Sequence, residues 1–302
     1  MYELIRKTQR SAISTLLHVR RFFVNTNALK RVRIGSFDIL INNTHALPRY
    51  LRNNPLYSSN LPRLAVHLKE KYSDLRLIDI GANVGDTVAL VKTVCDIPIT
   101  CIEGDPTYFL ILEKNNVLFK DVEIFKILLD EKVHLGNTEI KSNNGTAHIS
   151  TTNDRFLEFT TLDTFLNHHS FAARSKLLKI DTDGYDLKII RGAFKYIAAI
   201  KPVIFFEYDR SFLSHAHDDG ISTLMSLEKL GYSTIIFYDN SGRLIVSLPL
   251  QNMDTIKQLY QYTYKKKGAF PYYDVCVFHE SDKTVAQSFI SKELSLQNEN
   301  TV

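Results

Sequence analysis

The sequence predicts an α/β fold, a mostly parallel sheet with helices on both faces. Three observations predict it. From Leu75 onward, short apolar runs alternate with helix-length amphipathic segments, the pattern of strands joined by crossover helices. The central runs are apolar almost without interruption, as strands buried on both faces require. The first of these runs ends in a glycine-bearing turn that opens a helix, the usual place for a ligand in such sheets.

Taken in order, residues 34–41 (IGSFDILI) read as a short strand, and residues 42–63 as a turn-rich segment with Pro48, Pro55 and Pro62. Residues 62–72 form an amphipathic helix with Leu64, Ala65 and Leu68 on one side. The strands of the main sheet are 75–80, 98–103, 122–128, 176–181, 202–207 and 232–238. The helices are 85–95, 106–119, 185–198, 219–230 and 251–262. Residues 134–151 read as an inserted hairpin with Asn143-Asn144-Gly145 at its tip. Residues 274–279 form a last strand. No helix-length segment separates Tyr264 from it, so an antiparallel placement is expected. The tail after about residue 284 is polar and expected to fray. The division is a basic N-terminal extension over 1–60, helical at its start, a main domain over 61–284 and a C-terminal tail over 285–302.

A chain that is 44% hydrophobic and 23% charged is not disordered as a whole. Its net charge of +4 tolerates an anionic substrate without demanding nucleic acid. Cys95, Cys101 and Cys276 lack zinc-ligand spacing and fit a reducing compartment. No apolar run reaches the roughly 18 residues that cross a bilayer, and the N-terminus lacks the pattern of a signal peptide. A cytoplasmic protein is expected. Residues 1–33 carry eight basic residues against the single acid Glu3, interleaved with Leu16, Leu17, Val19, Phe22, Phe23 and Val24. Such a segment packs on its own domain with a solvated basic face, or lies on the inner, anionic face of a membrane.

Five segments carry chemistry. In 77–87, LIDIGANVGDT, an apolar strand runs through Asp79 to Gly81, and a helix begins near Gly85. The spacing is G-x-x-x-G; it is neither the dinucleotide fingerprint nor a phosphate loop. Unpaired N–H groups at the helix start suit an anionic group such as a carboxylate. Glu103 ends the second strand, where an acid accepts hydrogen bonds from two ribose hydroxyls. Asp105-Pro106 reads as a helix cap, and Asp130 as a candidate partner for an adenine amine. In 177–193, LLKIDTDGYDLKIIRGA, the carboxylates Asp181, Asp183 and Asp186 gather at the ligand edge of the sheet. Asp181 and Asp183 are also the candidate ligands for a cation, since oxygen donors suit magnesium, and no other metal site is indicated. In 205–220, Glu207 leaves the fifth strand on the same edge, with His215 and His217 on the following loop as further candidate bases. In 260–273 tyrosines alternate with lysines, a mixture that stacks on rings and neutralises phosphates, or that simply covers a core.

LIDIGANVGDT, CIEGDP, TTLDTF (160–165), LLKIDTDGYDLKIIRGA and KPVIFFE (201–207) occur in the order in which the FkbM family of methyltransferases has them, and the chain resembles that family over about residues 75–210. The resemblance implies the Rossmann-like class I methyltransferase fold: a seven-stranded sheet, order 3-2-1-4-5-7-6, with only its last strand antiparallel. It implies S-adenosylmethionine as cofactor, with Gly81, Asn83 and Gly85 at its methionine end, Glu103 at its ribose and Asp181 near the transferring methyl. Gly104 stands where the family usually has Pro, and Asp183 and Asp186 where Glu is more frequent. The resemblance also implies methylation of a hydroxyl on a sugar, surface glycan or related metabolite, with Asp181, Glu207, His215 or His217 orienting or deprotonating it. His45 to Tyr50 and Tyr57 are expected over the cofactor. Two other classes stay open: a nicotinamide-dependent sugar oxidoreductase, and a non-catalytic module that binds a glycan or a partner. Nucleic-acid methylation is not expected.

Overall fold

The computed structural model describes residues 28–54, 56–143, 145–215, 218–239, 241–263 and 272–299. Two strands, β1 (Leu29–Ile34) and β2 (Phe37–Asn42), form a hairpin ahead of α1 (Leu47–Asn53) and α2 (Asn60–Lys71). The main sheet then begins with β3 (Leu77–Ile80), α3 (Asp86–Val94), β4 (Ile99–Ile102), α4 (Pro106–Asn116) and β5 (Val122–Phe125). A small sheet of β6 (Leu128–Leu129), β7 (His134–Asn143) and β8 (Thr146–Thr160) follows, then α5 (Leu162–Leu166). Next come β9 (Leu177–Ile180), α6 (Asp186–Arg191), α7 (Phe194–Ile200), β10 (Val203–Tyr208), α8 (Arg210–His215), α9 (Ile221–Lys229) and β11 (Tyr232–Tyr238). The chain continues through β12 (Leu244–Pro249), α10 (Met253–Tyr262) and β13 (Tyr273–His279) to α11 (Lys283–Glu299).

The sheet order is β12-β11-β13-β10-β9-β3-β4-β5. β3 pairs in parallel with β4 on one side and with β9 on the other, so the winding direction reverses between β3 and β9. Ligands of such sheets bind outside the carboxyl ends of the strands at that reversal. This is a Rossmann-like, doubly wound architecture. It has eight strands where seven were expected. β13 is antiparallel to β10, as its short connection implied, but β12 also runs against its neighbour β11, so the sheet is mixed. The added strand arises because the chain turns back on itself after β11, with Asp239 Oδ1 accepting from the N–H of Ser241 and Arg243.

Two apolar layers sandwich the sheet. On one face the β1–β2 hairpin, α1, α2, α3, α4 and α11 bury Ile39, Leu64, Val88, Leu112 and Phe289 against Leu77, Leu177 and Phe205. On the other, α5, α6, α7, α9 and α10 bury Phe165, Ile190, Ile197, Leu224 and Ile256 against Ile78, Ile180 and Phe206. Neighbouring residues of a strand point to opposite faces, so β3 and β10 feed both cores and are apolar except at Asp79 and Glu207.

Three expectations need correction. The turn-rich segment 42–63 holds α1 and the start of α2, because Pro48 sits in the first turn of its helix, where a missing N–H costs nothing. The single helix expected over 185–198 is two, α6 and α7, broken at Gly192. A Cβ on Gly192 would lie 2.5 Å from the carbonyl oxygen of Asp130, so the chain passes that backbone too closely for a side chain. The tail expected to fray is the helix α11. It buries Ala286 and Phe289, and its Glu293 takes a bidentate ion pair from Arg63 at 2.7 Å. The basic stretch of residues 1–27 lies outside the described residues. Among the described residues no helix is long and apolar enough to cross a membrane. The three cysteines are buried and unpaired.

Phe289 is 2% exposed in the core that α11 closes. Phe289→Ala should therefore cost about 3–5 kcal/mol in urea unfolding, the range for emptying a buried aromatic site. A loss below about 1 kcal/mol would mean that α11 is not part of the folding unit.

Candidate active site

The site begins with a charged pair at the winding reversal. Asp79 on β3 is directly opposite Lys179 on β9, and their side chains meet at 2.9 Å. Both are buried, at 0% and 4% exposure. Lys179 Nζ also donates to the carbonyl oxygen of Gly81 at 3.0 Å and lies 3.6 Å from Asp181. Burial pulls the Lys179 ammonium down, but Asp79 and Asp181 more than offset this, and its pKa lies above the ordinary lysine value. Asp79 thus lies beneath the glycine turn and fixes it through Lys179; it lines neither cleft described below. The lone lysine in the apolar run LLKI was the sequence signal for this pair.

The turn itself is tightly held. Gly81 has φ +72°, and a Cβ there would fall 1.8 Å from the carbonyl oxygen of Asp181. Only glycine lets the ends of β3 and β9 approach so closely. Asn83 adopts φ +49° and Gly85 φ +87°. Asn83 joins three segments. Its N–H donates to Glu103 Oε2 at 2.7 Å, its Nδ2 donates to the carbonyl of Gly145 at 2.6 Å, and its Oδ1 lies 3.3 Å from His45 Nε2. Tyr108 supports the same hairpin tip, accepting from Gly145 N–H at 2.9 Å.

Glu103 is buried at the end of β4, where its second oxygen accepts from Asp105 N–H at 2.7 Å. Burial lifts it to about 7 against the pull of those two N–H groups. A cleft opens beside it, bounded by Gly81, Asn83, Glu103, Tyr108, Leu128, Leu129, Asp181, Thr182 and Tyr185. It has an acid and backbone polar groups at one side and aliphatic and aromatic walls at the other, the composition a nucleoside needs. Asp105 caps α4, accepting from Thr107 and Tyr108 N–H. Asp130 is not among the cleft-lining residues; its carboxylate accepts from Glu131 N–H. Asp186 is equally structural. It accepts from Thr182 and from the N–H of Glu207, and burial, reinforced by Asp181, lifts it to about 7. TTLDTF is also structural: Thr161 caps α5, and Asp163 accepts from Lys195 and Tyr196 N–H at the start of α7.

A second cavity of about 1170 Å³ adjoins the first, and Gly81, Asn83, Asp181 and Asp183 line both. Its other walls are His45, Tyr50, Tyr57, Asp86, Gly145, Lys179, Glu207, Asp209, Tyr272 and Asp274. The Asp181 side chain is 55% exposed, at the junction of the two spaces. Burial pushes Glu207 well above the ordinary carboxyl range, helped by Asp181, Asp186, Asp183 and Asp209. Burial likewise raises Asp274 to about 7, opposed by the Asn60 amide and aided by Asp181. His45 is depressed by burial, against the pull of Asp86. Its Nδ1 accepts from Leu47 N–H, which leaves Nε2 to carry the proton toward Asn83. Tyr50, Tyr57, Tyr272, Asp86 and Asp274 were not foreseen as a set, because four separate segments supply them.

His217, the His215 side chain and residues 264–271 lie outside the described residues. On the 205–220 loop, Asp218 and Asp219 accept from the N–H of Gly220 and Ile221. Tyr260 packs under Arg210, whose guanidinium carbon lies 4.7 Å from the ring centre. Among the described residues no group of three or more His, Cys, Asp or Glu side chains is placed to hold a metal ion.

Residues 79–234, just over half of the chain, match the model of the methyltransferase FkbM domain. The chain belongs to the FkbM family of S-adenosylmethionine-dependent methyltransferases. This FkbM-family chain also matches solved structures. A methyltransferase FkbM from Methylobacillus flagellatus KT is 14% identical, with 55% of this chain and 40% of that one covered and a TM-score of 0.38. The plantazolicin methyltransferase BpumL in complex with SAH is 11% identical over 78% and 87%, with a TM-score of 0.39. A putative O-methyltransferase from Klebsiella pneumoniae is 10% identical over 78% and 90%, with a TM-score of 0.41. No curated protein matches the chain in sequence. Membership in this family sets the chain apart from nicotinamide-dependent oxidoreductases.

Two outcomes test the electrostatics. Lys179→Met leaves Asp79 buried without its cation, and should cost about 3–5 kcal/mol in urea unfolding. A cost below about 1 kcal/mol would show that the pair is dispensable. Glu103, Asp186 and Asp274 all have folded pKa values near 7, above those of the unfolded chain. Their stabilising effect is complete below about pH 4 and is lost as pH rises through 7. The melting temperature of the free protein should therefore fall by several degrees between pH 5 and 8, and the fall should be shallower in Asp186→Asn. A melting temperature that rises over this interval would contradict the assignment.

Proposed function

We propose that the protein is an O-methyltransferase acting on a hydroxyl of a sugar, surface glycan or related metabolite. The observation that carries this reading is the pair of adjoining spaces that share Gly81, Asn83, Asp181 and Asp183. The first has the shape and polarity for the nucleoside of the cofactor, with Glu103 for the ribose hydroxyls and Tyr185, Leu128 and Leu129 against the base. The second is polar, and the Tyr50, Tyr57 and Tyr272 rings that line it suit the face of a sugar. When bound, S-adenosylmethionine supplies an electrophilic methyl group. The chain's own part is to hold the acceptor oxygen in line with it and to exclude water, which accounts for most of the rate in such a transfer.

The acceptor hydroxyl loses its proton as its oxygen forms the new bond to carbon. Asp181 lies at the junction and, with Asp183, is a carboxylate that lines both spaces. Glu207, held at a high pKa, is the stronger base once ionised, and general-base catalysis contributes about 10²–10⁴-fold. His45 enters as a positioning residue, since its Nε2–H is engaged with Asn83. Asp79, Gly85 and Asp130 support the turn and the loops around the cofactor without bounding its cleft.

Calorimetry with S-adenosylmethionine tests the first space. Glu103→Ala should weaken binding about 10-fold or more, since a charged group's two hydrogen bonds are lost. Wild-type affinity should rise between pH 6 and 8 as Glu103 ionises and can accept from both ribose hydroxyls. Absence of binding by the wild type would remove the reading. Single-turnover rates of Asp181→Asn and Glu207→Gln test the second space. A loss of about 100-fold or more is expected in at least one of them. Near-normal rates in both would exclude carboxylate catalysis.

A further inference from the structure

Gly104 stands between two residues that the fold holds firmly, and its backbone conformation does not account for it. Unlike Gly81 and Gly85, it does not have a positive φ. What it provides is space. A Cβ at this position would overlap Cδ2 of Leu128, and would lie 3.0 Å from Leu128 Cγ and 3.2 Å from the carbonyl oxygen of Ile127. Leu128 thus occupies the volume that a side chain at 104 would fill. Both residues line the cleft beside Glu103.

Neither backbone yields cheaply. On one side, Glu103 N–H donates to the Phe125 carbonyl at 3.0 Å, and Asp105 N–H donates to Glu103 Oε1 at 2.7 Å. Asp105 in turn caps α4 through the N–H groups of Thr107 and Tyr108. A shift at 104 would therefore disturb a buried carboxyl group and the start of a helix together. On the other side, Leu128 and Leu129 pair with Phe159 and Thr160 of β8, and Asp130 N–H donates to the Thr160 carbonyl at 2.9 Å. The soft coordinate between these two fixed segments is the Leu128 side chain. It is half-buried, and it turns between staggered rotamers at small cost. The open space beside it is the cleft.

We propose that Gly104 is a positioning residue for the cofactor: it seats Leu128 against the wall, and this seat sets the width of the nucleoside cleft. The proposal rests on the cleft beside Glu103 being the cofactor site. A methyl group at 104 would turn Leu128 off its seat and into the space that a ribose or base would fill. Overpacking of this kind weakens binding about tenfold or more. The ligand-free chain is affected much less, because Leu128 then has the cleft to turn into. Affinity and stability therefore respond differently to the same substitution, which a purely structural glycine would not produce.

The test is calorimetry with S-adenosylhomocysteine on the full chain, in the wild type, Gly104→Ala, Leu128→Ala and the double variant. Gly104→Ala should weaken binding about tenfold or more relative to the wild type. Its melting temperature without ligand should stay within about 3 °C of the wild type, since a small cost moves a chain of this size by only a few degrees. In the Leu128→Ala background the new Cβ takes the place that Leu128 has left, and Gly104→Ala should cost less than about threefold. Wild-type affinity in Gly104→Ala, or an equal loss in both backgrounds, overturns the proposal. A larger fall in melting temperature overturns it too, because the backbone and not Leu128 would then have yielded. Absence of S-adenosylhomocysteine binding by the wild type instead sinks the cofactor assignment of the cleft, and the proposal with it.

Discussion

The Asp79–Lys179 pair is the constraint on which the site depends. Burying two charges at the centre of a sheet is unfavourable unless each meets the other and their remaining hydrogen-bonding capacity is used. Here the cross-strand register brings them to 2.9 Å, and the lysine's other donors reach the Gly81 carbonyl and Asp181. A slip of one residue in the β3–β9 register would point one charge into the opposite apolar core. The pair therefore locks the register at the winding reversal, where the ends of β3 and β9 must pass so closely that only Gly81 fits.

From that lock the rest of the site follows. Along the face that β3, β9, β10 and β13 share, Leu77, Leu177 and Val203 form an apolar base. Asp79, Lys179, Glu207 and Asp274 come at or near the ligand edge. One sheet face thus passes from core to active site, and α1 with Tyr57 covers its charged end. The cleft beside Glu103 is built differently. Glu103 and Asn83 hold each other through the backbone, and the β7–β8 tip and His45 close over them through the Asn83 amide. A single residue with a left-handed backbone, Asn83, connects the Glu103 cleft, the carbonyl of Gly145 and His45.

Crowding of carboxyl groups is the electrostatic signature of this edge. Glu207, Asp274 and Asp186 sit above their ordinary pKa because burial removes water and Asp181 adds like charge. Such an arrangement lowers the stability of the ligand-free chain and is recovered on binding, as strained and charged groups at functional sites generally are.

What the sequence determined by itself was local. Period and apolar continuity set the strands β3, β4, β9, β10, β11 and β13. The glycine turn, Glu103 and the ordered motifs marked the edge at which a cleft opens, because backbone demands such as those of Gly81 are written in a few adjacent residues. The helix α11 and the break at Gly192 were illegible, since each depends on contacts with distant chain, Arg63 and the Asp130 backbone; the eighth strand pairs with its sequence neighbour β11, but its pattern alone did not mark it. The roles of the acids also had to wait for the fold. Asp79, Asp105, Asp181, Asp183, Asp186 and Asp274 are the same residue type in sequence. Asp105 was legible as a helix cap from its place before Pro106, but only tertiary structure buries Asp79 under a turn and sets Asp274 opposite Glu207 in the sheet, because burial and charge neighbours are properties of packing and not of sequence order.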